Sequence, residues 1–292
     1  MRLVLAPGIR VVRRSRGVLQ VGLAPHRRVL LTDTQPVRRV LDLLLRGEQP
    51  PEDPGSRAVL EALSPVLVDP TGLVVPGVAD GDVAAAALLD PHGYRERLSA
   101  RQRARVEVRG ALGDIDPAPL LEAAGLPTSL TARSGDVPTA VLVLCVGELD
   151  RDQVDPWVRA GVPHLLVRMI EGEAVVGPLV EPGRTACLRC LDAHAAEADP
   201  RHPLLVAGHA RAAARRHDGV AEPVDSALAS LAVAWAVRDL VTFAEGERPP
   251  TWSSTVQLSA TLAAVTRAEW RRHPACGCSW LPDEQSSRTM AV

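Results

Sequence analysis

Lysine and asparagine are missing from the whole of this 292-residue chain, and each of its 33 positive charges is an arginine. Without lysine there is no Schiff-base nucleophile, no P-loop phosphate contact and no isopeptide acceptor. Aromatic residues make up only 2% of a chain that is 46% hydrophobic, so its cores must be built from Val, Leu and Ala. A formal net charge of -2 shows no basic excess, which removes general affinity for nucleic acid. No segment reaches the roughly 18 uncharged apolar residues of a membrane span. The apolar run after Met1 is too short for a secretory signal. The five cysteines are clustered rather than dispersed as in a disulfide framework, which fits a reducing cytosol. The expectation is a cytoplasmic bacterial protein of one large or two modest domains, with no membrane or nucleic-acid partner.

Four of the five cysteines stand in two pairs, Cys187-x2-Cys190 and Cys276-x-Cys278. Brought together, two thiolate pairs make a tetrahedral sulfur site, the geometry zinc prefers. A disulfide or redox reading stays open on spacing alone. Four sulfur ligands leave no open position for substrate, so a zinc ion here is structural.

In chain order, Gly17–Leu23 and Arg28–Leu31 read as strands between Gly and Pro punctuation, whereas Arg10–Arg14 alternates poorly. Thr32 or Asp33 caps a helix with Val37, Val40, Leu41, Leu44 and Leu45 on one face. A second helix is predicted from Ser56 to Leu67. Strands followed by short helices suggest a small α+β winged-helix domain over 1–92. Its hairpin is a candidate peptide acceptor by strand addition, through Val18, Leu19, Gln20, Val21, Val29 and Leu31, with Val37, Val40 and Leu41 as groove walls. DNA reading is the competing use, but Arg57 and Glu61 on an otherwise apolar second helix are poor phosphate contacts. The arginine-rich stretch 93–105 reads as a solvated linker.

From Val106 an α/β rhythm begins, with a continuous apolar run Ala140–Val146 as in a buried parallel strand. Crossover helix, strand and hairpin follow, and residues 225–244 form a long helix with an apolar stripe. This is Rossmann-like in outline. A nucleotide would need a Gly-rich cradle at the first strand–helix turn. The turn reads Gly110-Ala-Leu-Gly113-Asp114-Ile-Asp116, which sets negative charge where a phosphate would lie, so no nucleotide-binding residues are assigned. Cys145, inside the apolar strand, reads as an inert buried thiol.

The strand Val141–Val146, the run Ala160-Gly-Val-Pro-His-Leu-Leu and the run Val176-Gly-Pro-Leu-Val-Glu-Pro-Gly-Arg-Thr-Ala-Cys-Leu-Arg-Cys-Leu resemble the ThiF/MoeB superfamily of adenylyltransferases. The whole chain is similar to the ThiF-like partner proteins of azole-forming (TOMM) cyclodehydratases. That resemblance implies a winged-helix RiPP-recognition element at 1–92 and a degenerate ThiF-like domain at 106–282, while the polar tail at 283–292 reads as disordered. The resemblance implies structural zinc on Cys187, Cys190, Cys276 and Cys278. It also implies a leader-peptide ligand, a YcaO-type enzyme partner and a homodimer. The expected role is non-catalytic: no residues are assigned to catalysis, and the alternatives are an atypical adenylyltransferase or a DNA-binding regulator.

Overall fold

The computed structural model describes residues 2–129, 137–211 and 218–280. The tail expected to be disordered lies outside them. The chain divides into two compact units, Met1–Ser99 and Ala100–Val292.

The first unit is α+β. Strands β1 (Val4–Leu5), β2 (Val11–Ser15), β3 (Val18–Val21) and β4 (Val29–Thr32) lead into helices α1 (Gln35–Leu45) and α2 (Pro54–Leu63). Then come β5 (Leu67–Val68), α3 (Asp80–Leu89) and α4 (Tyr94–Arg103), whose last residues belong to the second unit. Strands β2, β3 and β4 form an antiparallel sheet with β3 in the middle, and β1 pairs with β5. The core gathers Leu19, Val21, Val40, Leu41, Leu44 and Leu63. Each buried Val or Leu contributes roughly 1.5–3 kcal/mol.

Local chemistry shifts several expected boundaries. Helix α1 is capped by Thr34, whose side chain accepts from the Val37 amide, one or two residues later than predicted. Leu45, placed on the buried face from sequence, is 55% exposed. Helix α2 starts after Asp53, whose carboxylate accepts from the Gly55 and Ser56 amides. It stops at Leu63 rather than Leu67, because Pro65 supplies no N–H and the chain is drawn into β5. The solvated linker expected at 93–105 is instead mostly helix. Tyr94 and Leu98, one helical turn apart, are each 1% exposed in the first core. Arg101 is buried in the second unit, where it meets Glu245 at 2.5 Å and donates to the Ala124 carbonyl.

The second unit contains β6 (Val106–Gly110), α5 (Ala118–Ala123), β7 (Thr128–Ser129), β8 (Ala140–Val146), α6 (Arg151–Arg159), β9 (His164–Ile170) and β10 (Glu173–Val180). These are followed by α7 (Leu188–Ala198), α8 (His202–Arg211), α9 (Ser226–Ala244), β11 (Ser254–Leu258) and β12 (Val265–Glu269). One sheet takes the order β12-β11-β10-β9-β8-β6-β7. Its β7-β6-β8-β9 half is parallel and its β9-β10-β11-β12 half antiparallel. Strand β8 explains the continuous apolar run. Ala140, Leu142 and Leu144 enter the core shared with α9, while Val141 and Val143 enter the core on the α7 side. Helix α9 is long and apolar enough to cross a membrane, but its stripe of Leu228, Ala232, Val233, Ala236 and Leu240 is buried in the first of these cores. Asp239 in its midst is held by the Thr251 hydroxyl and amide. The unit is a three-layer α/β/α structure of Rossmann-like type.

Candidate metal centre and peptide-binding edge

Cys187 is the residue that opens α7, and Cys190 follows one helical turn later. The loop after β12 carries Cys276 and Cys278 to them. Sulfur separations are 3.8 Å for Cys187–Cys190, 3.6 Å for Cys187–Cys276 and 3.2 Å for Cys190–Cys278. A tetrahedron with metal–sulfur bonds of about 2.3 Å has edges of about 3.8 Å. All four side chains are buried and none is in a disulfide. Crowding makes the sulfurs share protons. Donation to Cys190 holds the Cys187 thiol above its usual range, and the same bond holds Cys190 below it. Only a cation allows all four to ionise together. A cleft of about 290 Å³ touching Cys187, Cys276 and Cys278 provides a route in for an ion. The four buried sulfurs are thus placed to hold a metal ion.

The carboxyl ends of parallel strands are where open α/β sheets bind ligands. Here the chain spends its own charges there. Glu148, just past β8, accepts from Arg151 and from Arg168, each at 2.7 Å. Arg151 also makes a two-pronged contact with Asp192 of α7, both bonds 2.8 Å. His209 of α8 covers Gly147, leaving 3.3 Å to where a Cβ would stand. Gly110 is required by close backbone approach, since a Cβ there would fall 2.0 Å from the Leu144 carbonyl oxygen. The short α5 begins with its Ala118 amide bonded to Asp116 at 2.9 Å, which puts a carboxylate where a phosphate would dock. Cys145 shares this neighbourhood, half-buried, with its thiol pushed up by burial. The members of this charge network are scattered between 148 and 192, with no sequence periodicity to link them.

In the first unit, Val18, Leu19, Gln20 and Val21 form β3, flanked on both sides, so their backbone groups are engaged. Among the described residues, the free edges of this sheet belong to β2 and β4. The Asp33 amide bonds to the Gly17 carbonyl at 2.8 Å, and alternation from that pair turns Val29 and Leu31 toward β3 and Leu30 outward. Leu30, absent from the predicted set, therefore presents the N–H and C=O of the β4 edge, with its side chain 49% exposed. Helix α2 lies against β4. It also walls, with α1, a cleft of about 490 Å³ lined by Val37, Val40, Asp53, Ser56 and Val59. Val37 thus lines the groove and Val40 borders it from the core, in which Leu41 is also buried.

No protein-family model matches the sequence, and no curated protein matches it. Solved structures do. A heterocyclase in complex with substrate and cofactor matches 97% of this chain with a TM-score of 0.66 and 16% identity. The heterocyclase TruD matches 95% with a TM-score of 0.63 and 17% identity. Escherichia coli MccB with ATP matches 95% with a TM-score of 0.61 and 12% identity. This chain has the fold of those proteins. It spans 40% and 42% of the two heterocyclase chains but 99% of MccB. MccB has also been solved with MccA.

Proposed function

We propose that this chain is a non-catalytic peptide-binding scaffold in azole-peptide maturation. Its first unit acts as a winged-helix RiPP-recognition element, and its second as a ThiF-like domain clipped by zinc on Cys187, Cys190, Cys276 and Cys278. The observation that carries this reading is the free outer edge of β4, beside helix α2 and its cleft. A leader peptide adds to that edge through the N–H and C=O of Leu30, each hydrogen bond contributing about 1 kcal/mol net. Side chains of the added strand reach the groove of Val37 and Val40. The heterocyclase chains are more than twice the matched length. In this reading a YcaO-type enzyme is the partner that supplies the ring-forming chemistry, in the cytoplasm, with this chain delivering the peptide alone or as a homodimer. The occupied crevice at Glu148 supports the absence of catalysis. Zinc suits the four sulfurs by ligand type, spacing and burial, and would supply cross-linking of α7 to the C-terminal loop rather than reaction chemistry.

The test is co-purification with a YcaO-type enzyme and a short peptide encoded beside it, with Leu30→Pro as the disabled variant. Retention that depends on Leu30 supports the proposal, and a chain that retains neither partner contradicts it. The likeness to MccB solved with ATP favours a second reading, an atypical adenylyltransferase. ATP–pyrophosphate exchange driven by a candidate peptide separates the two.

A further inference from the structure

We propose that Arg272 is the counter-charge of the cysteine site, positioned to neutralise a dianionic metal–tetrathiolate cluster. A divalent ion bound by four thiolates carries a net charge of minus two. Burying that charge is costly unless a cation stands close by. Arg272 precedes the second cysteine pair by a few residues. One terminal nitrogen donates to the Gly183 carbonyl, in the turn before Cys187, and the other to the Cys278 carbonyl at 3.2 Å. The guanidinium thus ties both halves of the site together. Its Nε is buried without a partner, and among the described residues no carboxylate pairs with it. The other deeply placed arginines differ: Arg101, Arg151 and Arg168 each meet a carboxylate. A half-buried guanidinium bonded only to two carbonyls carries a charge with no paired anion, and one of those carbonyls belongs to Cys278 of the sulfur site.

The neighbouring histidines do not fill that role. His194, Glu197 and His273 lie within 4.8 Å of one another, a spacing a second ion might use by distance alone. However, the Ala275 amide donates to Nδ1 of His273 at 3.1 Å, which leaves the proton on Nε2, 3.1 Å from Glu197. That nitrogen donates to the carboxylate instead of ligating. The group braces α7 against the loop and gives the sulfurs no net positive charge.

The inference rests on the sulfur site holding a divalent ion, and the experiment separates the two claims. Full-length protein is analysed for metal content, for the rate of metal release to a chelator, and, after cobalt substitution, for its thiolate-to-metal absorption. The variants are Arg272→Lys, Arg272→Gln and Arg272→Met. Neutral variants are expected to release metal about 10–100-fold faster, as outer-shell partners of metal sites do. Their cobalt absorption moves to longer wavelength, because sulfur electrons lose the stabilising positive charge. Arg272→Lys restores most of both properties. Should Arg272→Met not fold, Arg272→Gln, which keeps a donor for one carbonyl, carries the comparison. Wild-type release and unshifted absorption in the neutral variants overturn the proposal. So does Arg272→Lys behaving like Arg272→Gln, which would assign the effect to hydrogen bonding alone. Wild-type protein that binds no metal overturns this proposal and the zinc reading together.

Discussion

Replacing Glu148 by glutamine keeps the shape of the crevice and removes one charge from its centre. Arg151 retains its two bonds to Asp192. Arg168 does not have such a reserve. It is 6% exposed, its Nη1 donates to Glu148 at 2.7 Å, and its Nε has no partner. Leaving a buried charge without its counter-ion costs about 3–5 kcal/mol. In a unit of this size that lowers Tm by about 6–20 °C. Removing both partners, in Glu148→Gln with Arg168→Met, eliminates the stranded charge and recovers most of the loss. Acid sensitivity supplies a second readout. Burial, the strongest influence, raises the Glu148 carboxyl, but Arg168 and Arg151 outweigh it and hold it below its usual 4.5. A carboxyl depressed on folding contributes stability that is complete above its unfolded value and disappears as pH falls through the folded one. Wild type therefore loses this contribution below about pH 4.5 and Glu148→Gln does not. Thermal unfolding of the four proteins of the cycle, at neutral and acid pH, measures both effects. A Glu148→Gln cost under about 1 kcal/mol, the range of exposed pairs, would refute the reasoning. A double variant no more stable than Glu148→Gln would refute it equally.

His164, fully buried beside Trp157, is held neutral by burial, its pKa lowered from 6.5 to about 4. The unfolded chain takes up this proton first, so stability is complete above pH 6.5 and declines as pH falls toward 4, by at most about 3 kcal/mol. His164→Phe should flatten that part of the stability–pH curve. Cys187→Ser should reduce bound zinc from about one ion per chain to near zero by elemental analysis, with a lower Tm for the second unit. Leu30→Pro removes an outward donor from an edge strand, so leader-peptide affinity measured by fluorescence anisotropy should fall at least ~10-fold while Tm changes by only a few degrees.

Features written in local sequence were the legible ones. Paired cysteines announced a sulfur site, the run Ala140–Val146 a strand buried on both faces, and the spacing from Leu228 to Leu240 a core helix. What needed partners distant in sequence was not legible. The segment 93–105 looks solvated because arginine dominates it. The informative residues were Tyr94 and Leu98, and Arg101 is satisfied by Glu245, 144 positions away. Strand β2 reads poorly because most of its residues are exposed, yet its presence makes β3 the middle strand and leaves β4 at the edge of that sheet. The Glu148 network joins a loop, a helix, a strand and α7, which no periodicity records.

Backbone hydrogen exchange of the full chain, with and without a synthetic candidate leader peptide, tests the scaffold reading most directly. Peptide addition is predicted to slow exchange at Leu30, with ATP neither required nor consumed. Unchanged exchange across Val29–Thr32, or peptide-dependent consumption of ATP by this chain alone, would contradict it.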